Sequence, residues 1–104
     1  MKNYTLSDLQ NRIDEFISVH GGYWSPLSLV SAIMEELGEV AREINHLEGY
    51  KPKKGKKETS TVGEELADLL FAIICLANNY NIDLNEELEK IIKKYSTRDK
   101  DRFI

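Results

Sequence analysis

The sequence predicts an all-α protein, a small four-helix bundle-like domain that self-association completes. Three observations point there. Apolar residues recur at spacings of three and four through every ordered-looking segment. Helix start and stop residues bracket those segments, and no alternating run of useful length suggests a strand. A chain of 104 residues forms one domain, residues 1–104, with a marginal core that favours association.

In the first segment, Leu6, Leu9, Ile13, Phe16 and Ile17 share a face; Ser7 or Thr5 can cap its start, and Gly21-Gly22 stops it. The first helix should therefore cover about 6–20. Ser25-Pro26 opens the second, with serine as N-cap and proline in the first turn. Val30, Ile33, Leu37, Val40, Ala41, Ile44 and Leu47 form its stripe, and Gly49 ends it, giving about 26–48. Residues 49–61, rich in lysine, read as a solvated connection. Thr61 with Glu64 forms a capping-box pattern for a third helix running to about Tyr80, with Asn81 as its stop. Asp83 with Glu86 does the same for a fourth, about 84–95, followed by a charged tail.

Composition excludes several classes. Apolar residues make up 41% and charged residues 31%, which suits a globular rather than a disordered chain. The longest uncharged apolar stretch, Leu69–Ile82, is too short to span a bilayer and holds three asparagines. The opening residues lack the basic and apolar regions of a secretory signal. One cysteine, Cys75, cannot form an internal disulfide and fits a reducing, cytoplasmic setting. A net charge of -4 argues against stable nucleic-acid binding.

Chemistry concentrates on two helices. Glu36, Glu39 and Glu43 fall along one flank of the second, which by itself is the pattern of an ordinary wet surface. In the third, Asp68 is the single polar side chain of the run Leu66–Ala77. That run is apolar on every side, so the helix should be central and Asp68 buried, and then protonated, paired with an arginine such as Arg12, Arg42 or Arg98, or bound to a cation. Glu65 lies one turn earlier on the same side. Antiparallel packing of the two helices would converge four carboxylates. Oxygen ligands alone suit Mg²⁺ or Mn²⁺ rather than zinc, and Mg²⁺ commonly binds together with substrate phosphates. Glu43-x-x-His46 resembles half of a di-iron ligand set, but the other histidine, His20, has no Glu three residues before it. His46 reads instead as a helix-end residue or an outer support of the site. Tyr23 and Trp24 could stack on a base or staple the helix start.

Glu35-Glu36-x-x-Glu39 followed by Glu65-x-x-Asp68 resembles the EExxE…ExxD signature of the MazG-type nucleoside triphosphate pyrophosphohydrolases, in the all-α NTP pyrophosphatase group. Tyr23-Trp24-Ser25-Pro26-Leu27, Ala41–His46, Cys75–Asn78 and Thr97–Arg102 are also similar to the small single-domain members, so the likeness covers about residues 22–103. The resemblance implies hydrolysis of a (deoxy)nucleoside triphosphate to the monophosphate and pyrophosphate, with Mg²⁺ held by Glu36, Glu39, Glu65 and Asp68. It implies that Glu35 holds a further metal or orients the attacking water. Lys94 and Arg98 match a basic pair that would steady the outer phosphates, or they simply place favourable cations at a helix C-terminus, and Asn78 and Asn79 at the end of the third helix could bond sugar or base or cap the helix. It also implies a homodimer or homotetramer. The rival expectation is a helical interaction module in which the acids are only a solvated face.

Overall fold

A computed structural model describes residues 3–49 and 59–98. Among them lie four helices and no strand: α1 (Leu6–Val19), α2 (Pro26–Leu47), α3 (Thr59–Asn79) and α4 (Leu84–Arg98). The lysine-rich connection, with Lys51, Lys53, Lys54, Lys56 and Lys57, and the charged tail after Arg98 lie outside the described residues.

Local signals set most boundaries. Thr5, not Ser7, caps α1: its hydroxyl accepts from the Asp8 amide at 3.1 Å, and the Asp8 carboxylate accepts from the Thr5 amide at 2.9 Å. Ser7 instead donates to Asp83 at 2.9 Å and ties the start of α1 to the start of α4. Gly21 and Gly22 carry φ of 105° and 88°, conformations that favour glycine, and the Gly22 amide closes α1 on the Ile17 carbonyl. Ser25 caps α2 through the Ser28 amide, with Pro26 in the first turn. Thr61 sits inside α3, which begins at Thr59, so it is not that helix's N-cap. Asn81 takes φ 55° after α3, and Asp83 accepts from the Asn85 and Glu86 amides to cap α4. With that cap in place α4 runs to Arg98, three residues past the expected end.

α2 and α3 form the main packing pair and run antiparallel, with Trp24 beside Asn79 at one end and Glu36 beside Asp68 further along. The core is small: Leu29 from α2 with Ala72, Ile74, Cys75 and Ala77 from α3. The expectation of a helix buried on every side is corrected here. α1 and α2 cover α3 from two directions only, and α4 packs against α1. Leu66, Leu70 and Phe71 therefore remain exposed on α3, and so does Asp68. α4 buries no residue, and its apolar stripe of Leu88, Ile91, Ile92 and Tyr95 is open.

α1 is held by polar chemistry as much as by apolar contact. Gln10, only 5% exposed, donates to the Asn78 side-chain oxygen (2.9 Å) and the Ile82 carbonyl (2.8 Å), and accepts from the Leu84 amide (2.9 Å). Asn78 donates both amide hydrogens, to the Gln10 carbonyl and to the Tyr23 hydroxyl. Tyr23 donates in turn to Asp14 at 2.6 Å. This chain of bonds joins α1, the α1–α2 loop, the end of α3 and the start of α4. Burial and the Asp14 carboxylate push the Tyr23 phenol up to about 12.

Candidate metal centre

The i, i+3 spacing within α3 and the antiparallel register with α2 bring Glu36, Glu65 and Asp68 together. One carboxylate oxygen from each lies within 4.8 Å of the others. Glu36 and Glu65 are half-buried, and Asp68 is exposed. The Asp68 carboxylate thus carries no burial penalty that demands an arginine, and it forms no salt bridge among the described residues.

The electrostatics mark Glu65 as the focus of the cluster. Its partial burial raises its carboxyl above the usual glutamate range, and the charges of Glu39, Asp68, Glu36 and Glu43 push the same way. Five acids therefore share one local field. A divalent cation is the counter-charge this donor set suits, since three converging carboxylates offer hard oxygen ligands and leave positions for water or phosphate.

Glu39 is exposed and outside the three-acid group, although it contributes the largest charge effect on Glu65. Glu35 is exposed and stands outside the group as well. Asn78 lies at the α1–α3 junction with its amide hydrogens engaged inside the protein. Lys94 and Arg98 lie on the exposed surface of α4, where the Arg98 guanidinium sits 4.8 Å from the Tyr95 ring centre.

Two features escaped the sequence reading. The buried acid of α2 is Glu43, 8% exposed, which sequence alone does not separate from Glu35 or Glu39. Beside the carboxylates, a cavity of about 310 Å³ opens between the α1–α2 loop and the α2–α3 pair. His20, Trp24, Phe71 and Cys75 line it, with Glu36 and Asp68 at its acidic side. Tyr23 and Trp24 hinted at such a wall, but only the fold places them next to α3. His46, in the last turn of α2, has its Nδ1 shielded and without a hydrogen-bond partner among the described residues.

Residues 24–103 match the model of the MazG nucleotide pyrophosphohydrolase domain. The chain is 43% identical over 104 residues to the uncharacterized protein YpjD of Bacillus subtilis strain 168, covering 99% of this chain and 94% of that protein. It is 29% identical over 101 residues to the uncharacterized protein YvdC of the same organism, covering 86% and 95%. The crystal structure of YpjD from Bacillus subtilis superposes with a TM-score of 0.84 at 41% identity, covering 91% of this chain and 98% of that one. The crystal structure of the Bacillus-conserved MazG protein, a nucleotide pyrophosphohydrolase, gives 0.79 at 40% identity over 97% and 99%. With four helices among its described residues and a family match over most of its length, the chain belongs to the MazG nucleotide pyrophosphohydrolase family.

Proposed function

We propose that this protein hydrolyses nucleoside triphosphates to the monophosphate and pyrophosphate with Mg²⁺, or Mn²⁺ in its place, as a nucleotide-pool enzyme of the cytoplasm. The observation that carries this reading is the convergence of Glu36, Glu65 and Asp68 within 4.8 Å. Glu39 completes the ligand set when its side chain swings toward Glu65, whose charge it already influences. A divalent cation held there offsets triphosphate charge and acidifies water, the two services this reaction needs. Glu35, one residue from a ligand, orients the attacking water towards the α-phosphorus. Lys94 and Arg98, on α4, serve the outer phosphates.

A homo-oligomer, dimer or tetramer, belongs to the same reading. The open faces of α3 and α4 supply the apolar side chains for it.

Pyrophosphate release from a mixed panel of ribo- and deoxynucleoside triphosphates tests the proposal. Release should require Mg²⁺ or Mn²⁺ and should vanish in Glu36→Gln. Release that persists in excess EDTA, or none from any nucleotide with metal present, overturns it.

A further inference from the structure

The cavity beside the carboxylates has a wall with a defined hydrogen-bonding sense. The Nδ1–H of His20 donates to the Phe16 carbonyl at 2.7 Å, because a carbonyl can only accept. The ring is held a second time by stacking on Phe16, with centroids 4.3 Å apart and planes at 28°. In the neutral ring this fixes the tautomer, so Nε2 carries a lone pair and no hydrogen. His20 lines the cavity, and Nε2 is the nitrogen left to meet a ligand. The hydroxyl of Tyr23, also in the lining, already donates to Asp14.

We propose that His20 is a specificity residue that reads the nucleobase by accepting a hydrogen bond from the amino group at cytosine C4 or adenine C6, the edge at which guanine, like uracil and thymine, carries a carbonyl oxygen. The substrate class is then nucleotides of cytosine or adenine. This rests on the nucleotide-hydrolysis reading for the kind of ligand, and goes beyond it in naming the base. The cavity's place fits: Glu36 and Asp68 border it, so a nucleotide with its phosphates at the carboxylate-bound cation would direct its nucleoside among His20, Trp24 and Phe71. The discrimination follows from donor and acceptor patterns. Cytosine N4 and adenine N6 present hydrogens, whereas uracil and thymine present a carbonyl oxygen at the same edge. An acceptor facing an acceptor forms no bond and leaves both desolvated, which is how a polar site rejects an analogue.

Trp24 is the sole tryptophan of the chain and lies in the cavity wall, so its fluorescence reports occupancy directly. The full chain in EDTA is titrated with cytidine, adenosine and uridine up to their solubility limits. Cytidine and adenosine should quench saturably, with dissociation constants about five- to tenfold below that of uridine, the span of one hydrogen bond. His20→Phe keeps a ring to stack on Phe16 and removes Nε2; it should still bind and should bring the three constants within twofold. Because His20 is exposed, this replacement leaves the fold intact, which circular dichroism verifies. Equal affinities in the wild type, a preference that survives in His20→Phe, or no quenching by any nucleoside overturns the assignment. Pyrophosphate release from the same preparations separates the two ideas. A base preference without metal-dependent release removes the hydrolase reading and keeps His20, whereas release without base preference keeps the hydrolase and removes His20.

Discussion

Asp68→Asn should make the metal-free protein more stable and the metal-loaded protein less so. The side chain keeps its size and loses its charge. Carboxylate oxygens of Glu36 and Asp68 stand within 4.8 Å, so their repulsion is at least roughly 0.9 kcal/mol at the dielectric of water and at least roughly 3.5 kcal/mol at an effective value of 20. Asp68 is exposed, which places the pair at the low end, about 1 kcal/mol. For a domain of this size that corresponds to a rise in Tm of about 4–8 °C. The assay is a thermal melt in EDTA at low ionic strength and fixed protein concentration, repeated in 1 M salt. Salt at that concentration, with a Debye length of about 3 Å, screens exposed charges strongly, so the gain should shrink. Adding Mg²⁺ at a hundredfold over its dissociation constant should stabilise the wild type by about 2.7 kcal/mol and the variant by much less, reversing their order. An Asp68→Asn variant that melts below wild type in EDTA at low salt would show that Asp68 has a stabilising partner, and the repulsive-cluster argument would fail.

Other consequences are equally direct. The Ser7 hydroxyl, more than the α4 amides, holds the Asp83 carboxyl below the usual aspartate range. A carboxyl held below its unfolded value stabilises the fold above that value and loses the contribution as pH falls through the folded one. Ser7→Ala should therefore melt lower than wild type near neutrality, and the two curves should meet in strong acid; a gap that stays constant down to pH 2 refutes the link. Gln10→Ala strands the Asn78 oxygen and the Leu84 amide, so it should cost roughly 3 kcal/mol, read by denaturant melts; a loss under 1 kcal/mol contradicts the network. Leu88→Asp with Ile92→Asp places charge on the open stripe of α4, and light scattering should show the oligomer falling to the 12.0 kDa monomer.

Most of the fold was legible because helix ends are local. Pro26, the glycine pair at 21–22, Asn81 and Asp83 act through their own backbone geometry or through amides two or three residues away. Three of the four expected acids, Glu36, Glu65 and Asp68, were legible as a group for a related reason: i, i+3 spacing on α3 and a short connection favour an antiparallel meeting with α2, though Glu39 stands outside the group. Burial was not legible, because it depends on what the other helices cover. The apolar run of α3 reads as central, yet two neighbours cannot surround it, and Asp68 ends up in solvent. On α2 the same ambiguity hid Glu43, a glutamate like its neighbours in sequence but turned into the protein by the register. Asn78 looked available for substrate, but a side chain with two donors at a helix end is equally suited to joining elements, and in the fold its hydrogens go to Gln10 and Tyr23.

That last assignment bears on how the site keeps its shape. A core of five buried apolar side chains among the described residues is too small to fix α1 by packing alone. Yet α1 and the loop after it supply His20, Tyr23 and Trp24, one whole wall of the cavity. What fixes that wall is directional: Gln10 and Asn78 bond reciprocally across α1 and α3, Asn78 holds the Tyr23 hydroxyl, and Asn79 donates to the Trp24 carbonyl at 3.2 Å. Hydrogen bonds set angles and distances that a thin apolar contact does not. The carboxylates, by contrast, sit on the α2–α3 pair, the best-packed part of the chain. Metal position and ligand wall therefore rest on different supports, so the two are separable by mutation. Asn78→Ala should loosen the wall, weaken nucleoside quenching of Trp24 and leave the Mg²⁺-induced rise in Tm in place. Asp68→Asn should do the reverse. If Asn78→Ala instead abolishes the Mg²⁺ response while nucleoside quenching survives, the division of labour drawn here is wrong.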